Sequence, residues 1–174
     1  RRGVGLVPDT SIELNMTIPA IVNQGRFLHH LGPLSQIARA EIRENAERYI
    51  KELDIRCTGP RQAVRRLSGG NVQKVLVGRE IAQHPTVLMV AYPVRGLDIN
   101  SSYMIYNLLQ KQKESGVSVI FVGEDLDVLV ELCDRIMVLN SGRITGIVDG
   151  PSATKEELGI LMTKRVKEEG ETHA

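Results

Sequence analysis

Leu67-Ser68-Gly69-Gly70-Asn71-Val72-Gln73-Lys74 is the stretch on which the reading of this chain turns. It predicts a tight turn opening directly into a helix. Ser68 and Asn71 are helix-capping types, and the two glycines let the backbone turn without a Cβ penalty. The first turn of a helix carries unpaired N–H donors and the positive end of the helix dipole. With no side chain at Gly69 or Gly70 an anion can approach those donors, and the Ser68 hydroxyl adds another. Taken alone, Ser-Gly-Gly before a helix marks a loop and a cap more often than an occupied phosphate site.

The surroundings organise around this turn. Its helix should run from Ser68 to about Gln83 and stop before Pro85. Upstream, a helix over about 40–53 places Ile42, Ala46, Tyr49, Ile50 and Leu53 on one face, with Glu41, Arg43, Glu44, Glu47 and Arg48 solvated opposite. Residues 17–40 show no clear period and carry Pro19, Gly25, Gly32 and Pro33 as breakers. Downstream, the apolar runs 87–91 and 117–122 have the composition of strands buried on both faces. A helix over about 101–114, closing at Gly116, separates them. A helix over about 125–133, a strand over 135–139, an Asn140-Ser141-Gly142 turn and a return strand over 144–148 follow. Thr154 with Glu157 forms a capping box for a last helix to about Met162, and the charged tail 164–174 has no apolar face. Strand–helix–strand alternation implies an α/β fold with a parallel sheet and an antiparallel hairpin at its end.

Composition narrows the functions. The formal charge is only +1 over 174 residues, and 3% aromatic content without tryptophan gives no stacking platform, so no nucleic-acid partner is expected. Cys57 and Cys133 lack metal-ligand spacing, and reduced thiols are expected. His84 and the His29-His30 pair fit no site and read as surface residues. No apolar run approaches the ~18 residues that span a bilayer.

Leu-Ser-Gly-Gly-Asn-x-Gln-Lys resembles the signature motif of ATP-binding cassette (ABC) ATPases, in the variant of sugar and nucleoside importers. The resemblance extends over about 5–162. It implies a partial P-loop NTPase-like ABC fold: a helical subdomain over 1–84, incomplete at its N-terminus, an α/β core remainder over 85–163, and a flexible tail over 164–174. A stretch similar to Gly5-Leu6-Val7, with Asn15-Met16 further on, follows the transporter-coupling loop in that family. A register placing Val7-Pro8-Asp9 in the loop leaves Asn15-Met16 unmatched.

The family's phosphate-binding loop, Gly-x-x-x-x-Gly-Lys-Ser/Thr, is not in this sequence, which has no Gly-Lys pair; a fragment is the expectation. Where active members carry a magnesium Asp and a catalytic Glu, this chain reads Ala91 and Tyr92. Alanine cannot orient the metal's water shell, and tyrosine, with an ordinary pKa near 10, is a poor base at neutral pH. Glu124 stands in place of the switch histidine, and a carboxylate there repels a γ-phosphate. Asp98 keeps the loop that the family carries across its dimer interface. No catalytic residue and no metal site of the chain's own are therefore expected.

In the family two cassettes stack head to tail, each signature turn capping ATP held by the other. The resemblance thus implies a degenerate second cassette that supplies Ser68, Gly69, Gly70, Asn71 and Gln73 in trans. ATP and Mg²⁺ would serve the full-length assembly, with none expected for this chain alone. The implied partners are a first ATP-binding cassette, commonly in the same polypeptide, transmembrane permease subunits and, indirectly, an extracytoplasmic solute-binding protein. The implied location is the cytoplasmic face of the membrane, peripherally. Rival readings are a non-transport ABC protein, disfavoured by the low charge and compact spacing, and an ATPase-derived interaction module without catalytic role. A generic α/β enzyme is weakest, since no Gly-x-Ser-x-Gly, His-Glu-x-x-His or Cys-x-x-Cys appears.

Overall fold

A computed structural model describes residues 5–31 and 34–164. The chain divides into two compact units, one reaching Ile120 and the other starting at Phe121.

The first unit opens with α1 (Ile12–Gln24), capped by Ser11 and closed at Gly25, which takes the left-handed φ of 64°. Pro19, expected as a breaker, lies inside this helix. A proline there removes one backbone N–H and usually kinks or ends a helix. Here the burial of Ile12, Met16 and Ala20 on one side of α1 outweighs that local penalty. The region also holds an element that the sequence pattern concealed. Strands β1 (Leu28–Leu31) and β2 (Leu34–Ile37) pair antiparallel, with Leu28 opposite Ile37 and His29 opposite Gln36. The expected breakers Gly32 and Pro33 lie outside the described residues.

Helix α2 (Arg39–Glu52) shows the expected stripe, with Ile42 and Ala46 buried and Leu53 buried just past its end. A short 3₁₀ turn at Val64–Arg66 leads into α3 (Gly69–Ile81), which begins where the signature motif places it. Leu6, Ile12, Met16, Leu53, Ile55, Val64, Leu67, Val72 and Val75 form one core beneath these helices. That core fixes the direction in which α3 presents its N-terminus.

Strand β3 (Val87–Ala91) follows, then α4 (Ile99–Glu114) and β4 (Ser118–Val122). The two strands are hydrogen-bonded neighbours in a parallel sheet, joined through the α4 crossover. Helix α4 starts two residues earlier than its sequence suggested, because Asp98 caps it. The expectation that both strands are buried on two faces is corrected. Leu88 is buried, but Val87 and Met89 on β3 and Ile120 and Val122 on β4 are exposed. A strand apolar on both sides needs a layer over each, and among the described residues one side stays uncovered.

The second unit carries α5 (Leu126–Leu132), β5 (Arg135–Asn140), β6 (Arg143–Asp149) and α6 (Lys155–Thr163). Strands β5 and β6 form the expected antiparallel hairpin, with a register shift between Val138 and Leu139. Ile136, Val138, Ala153 and Leu158 make its core. Thr154 caps α6, its hydroxyl oxygen accepting from the Glu157 N–H at 3.1 Å. Of the tail expected to be flexible, residues 165–174 lie outside the described residues.

Candidate functional site

Ser68 is the N-cap of α3, and its hydroxyl is held by one partner twice. The Asn71 backbone N–H donates to Ser68 Oγ at 3.5 Å, and Asn71 Nδ2 donates to the same oxygen at 2.8 Å. A hydroxyl has two acceptor lone pairs and one proton. With both lone pairs engaged, the proton of Ser68 is left to donate outward, and the residue is exposed. Asn71 is therefore not a second cap. It sits one turn in, and its Oδ1 accepts from the Arg56 N–H at 2.8 Å, tying the turn to the preceding loop.

The two glycines have different jobs. Gly69 is exposed, and a Cβ there would meet nothing closer than Leu97 Cδ2 at 3.8 Å. Gly70 is buried, and a Cβ would lie 2.5 Å from Ser101 Oγ on α4. Glycine at position 70 lets α4 pack against the start of α3. The backbone N–H groups of Gly69 and Gly70 fall in the first turn, where no intrahelical acceptor exists. The site thus places the first-turn amides, Gly69 exposed and Gly70 buried beneath α4, beside one hydroxyl donor at the positive end of a helix.

Gln73 is 5% exposed, and its Oε1 has no hydrogen-bond partner among the described residues. Lys74, equally buried, donates from Nζ to the Asp54 carbonyl at 2.6 Å and lies 3.5 Å from Asp54 Oδ2. Sequence reasoning gave it no role. A lysine on the apolar side of a helix was the available signal, since a buried ammonium needs acceptors.

Asp98 accepts from the Ser101 N–H at 3.0 Å and from the Ser101 hydroxyl at 2.7 Å. These bonds, the backbone one first, hold its carboxyl below the ordinary aspartate value. Ser101 therefore touches both the Asp98 loop and Gly70, a link between two segments that the sequence keeps thirty residues apart. Ala91 and Tyr92 are exposed at the end of β3. Tyr92 takes a left-handed φ of 49°, uncommon for a bulky residue, and the Arg95 guanidinium lies 5.9 Å from its ring centre. Glu124 is exposed in the second unit. His29 is exposed with Nε2 3.2 Å from Glu41 Oε1, and His84 is exposed in a turn. Among the described residues no three His, Cys, Asp or Glu side chains gather as metal ligands. Among them, too, no helix is long and apolar enough to cross a membrane.

Comparison with known proteins places this geometry. The chain is 35% identical to the L-arabinose transport ATP-binding protein AraG of Geobacillus stearothermophilus over 98% of its own length and 32% of that protein. It is 35% identical to the ribose import ATP-binding protein RbsA of Bacillus subtilis, over 94% of the chain and 32% of that protein. The chain belongs to the ATP-binding cassette family. The guanosine import ATP-binding protein NupO of B. subtilis is 33% identical over 95% of the chain and 31% of its own length. Among solved structures, the ADP- and phosphate-bound dimer of the cassette MJ0796 superposes with a TM-score of 0.67 at 25% identity, covering 83% of this chain and 58% of that one. No family model matches the chain. The chain spans about a third of the length of the relatives it matches. The cassette fold expected from the signature motif is thereby established, and the relatives are sugar and nucleoside import ATP-binding proteins.

Proposed function

We propose that this chain is part of the ATP-binding subunit of an importer for simple sugars or nucleosides, and that its signature turn serves ATP held by an opposite cassette. The observation that carries this reading is the Ser68–Asn71 pair. It fills both lone pairs of the Ser68 hydroxyl and turns that residue into a donor, beside the amides of Gly69 and Gly70. Asn71 holds the turn, and Gln73 lies buried further along α3. Asp98 caps the helix whose Ser101 packs on Gly70, which ties the Asp98 loop to the signature turn.

The chain's own nucleotide site is degenerate on this reading. Ala91 and Tyr92 replace a metal-orienting carboxylate and a base, and Glu124 sets negative charge where a γ-phosphate would lie. Residues 1–84 act as the helical subdomain and 85–163 as the remainder of the α/β core. Mg²⁺ would accompany the ATP held by the opposite cassette. The permease, the solute-binding protein and a first cassette in the same polypeptide complete the assembly at the cytoplasmic face of the membrane.

Two or three charge-assisted hydrogen bonds, at about 1.5–3 kcal/mol each, barely match the 4–15 kcal/mol cost of association. The isolated chain should then show no micromolar ATP binding in a calorimetric titration. In the full-length protein with its permease, Ser68→Arg should lower transport-coupled ATPase by ~10²-fold or more, the scale for losing a preorganised oxyanion donor. Unchanged ATPase would overturn the reading and favour an interaction module.

A further inference from the structure

A second basic feature lies between α2 and the loop leading to the signature turn, and the proposed function makes no use of it. Three arginines line one open cavity of about 650 Å³: Arg43 from α2, and Arg61 and Arg66 from the loop. Glu47 is the one carboxylate on the lining, and Glu13 pairs with Arg43 from outside it, which leaves a formal excess of one positive charge.

Two of these cations, Arg61 and Arg66, lack an ion-pair partner among the described residues, whereas Arg65, in the same loop, sits 3.1 Å from Asp9 Oδ1. Arg43 Nε is ion-paired with Glu13 Oε2 at 3.9 Å, a distance too long for a hydrogen bond. Gln62, on the same lining, spends its Oε1 on the Thr58 N–H and hydroxyl at 2.6 and 2.9 Å, so its amide Nε2 remains a donor without a partner among the described residues. The cavity is rich in donors and poor in acceptors.

We propose that this cavity binds a small phosphate ester that carries hydroxyl groups. Planar guanidinium forks match phosphate oxygens in pairs, and the unpaired Arg61 and Arg66 favour an anionic group. Glu47 can only accept, so the remainder of the ligand should supply hydroxyl donors. Ser68, Gly69 and Gly70 are not on the lining, and the site is independent of the signature-turn reading.

Calorimetric titration of the whole chain with glucose 6-phosphate tests this, with inorganic phosphate as a second arm. Saturable binding of one equivalent is expected, tighter for the ester than for inorganic phosphate. Arg61→Ala and Arg66→Ala should each weaken it roughly tenfold. Both positions are exposed, and an unchanged circular dichroism spectrum would confirm that the variants fold. Ser68→Ala should leave the affinity unaltered. The proposal falls if neither phosphate binds saturably, or if binding ignores Arg61 and Arg66. It also falls if binding is lost in Ser68→Ala, which would put the phosphate at the signature turn, or if an acidic peptide binds these arginines while both phosphates fail.

Discussion

At the scale of single residues, the two hydrogen bonds from Asn71 to Ser68 decide what the candidate site can do. Serine hydroxyls both give and receive, so a cap serine in isolation says little about an anion. Asn71 removes the ambiguity by occupying both acceptor positions of Ser68. Asp98 works in the opposite sense, receiving from Ser101 twice. Its carboxyl is held below the ordinary aspartate value by the Ser101 N–H and then by the Ser101 hydroxyl. A group whose folded pKa is depressed contributes stability above its unfolded pKa and loses it as pH falls through the folded value. The melting temperature of Asp98→Ala should therefore lie below the parent's at neutral pH by a steady margin, and that margin should narrow only below about pH 4. Thermal melts of both proteins from pH 7 to 2.5 check this, and a margin indifferent to acid would show that the ionised cap is not its source. Asp98 and Ser68 were both legible as candidates from residue type and spacing. Ser101 was not, because its contact with Gly70 joins residues distant in sequence and appears only when α4 is laid on α3.

At the scale of elements, legibility followed periodicity. Helix α2 could be read from its stripe and α3 from its cap, each within two residues of the observed bounds. Helix α1 was obscured by Pro19, whose local cost is real but smaller than the burial gained along the helix. Strands β1 and β2 were hidden because Leu28-His29-His30-Leu31 has no alternation. Two elements carry predictions. Lys74 joins α3 to the end of α2 through the Asp54 carbonyl, and Lys74→Met keeps the apolar stem while leaving that carbonyl unpaired. Replacing a buried charge by an apolar group can be neutral. Here the orphaned carbonyl decides the sign, and urea unfolding should show a loss of about 1–3 kcal/mol. In the second unit, Gly150 donates to the Asp134 carbonyl at 2.8 Å, and a Cβ there would lie 1.7 Å from the Cys133 carbonyl oxygen. Neither side is a movable side chain. Gly150→Ala should therefore cost ~3 kcal/mol or more, the upper end for overpacking. Hydrogen exchange should show faster opening of β5 and β6, and a near-neutral effect would mean that this turn relaxes more freely than its backbone contact implies.

At the scale of the whole molecule, both units leave apolar sheet surface open. On β3 and β4, Val87, Met89, Ile120 and Val122 are each at least 40% exposed. In the second unit, Met137 faces Ile147 across the hairpin and Leu139 faces Ile144, all four at least half exposed. Opposed residues share one face of a sheet, so these two cross-strand pairs form a contiguous apolar patch rather than scattered single side chains. Apolar runs in the sequence announced buried strands, since composition alone gives no sign of which layers cover them. Physically, such faces drive association in water when nothing lies over them. Purified by itself, the chain should bind an apolar dye such as ANS and should sediment as species larger than a monomer at micromolar concentration. Met89→Lys combined with Leu139→Lys places charge on each open face and should reduce dye binding roughly severalfold while leaving the melting temperature within a few degrees, because neither side chain belongs to a core. A monodisperse monomer that binds no dye would show that these faces are covered within the chain. A double variant that melts far lower would show that they are already packed.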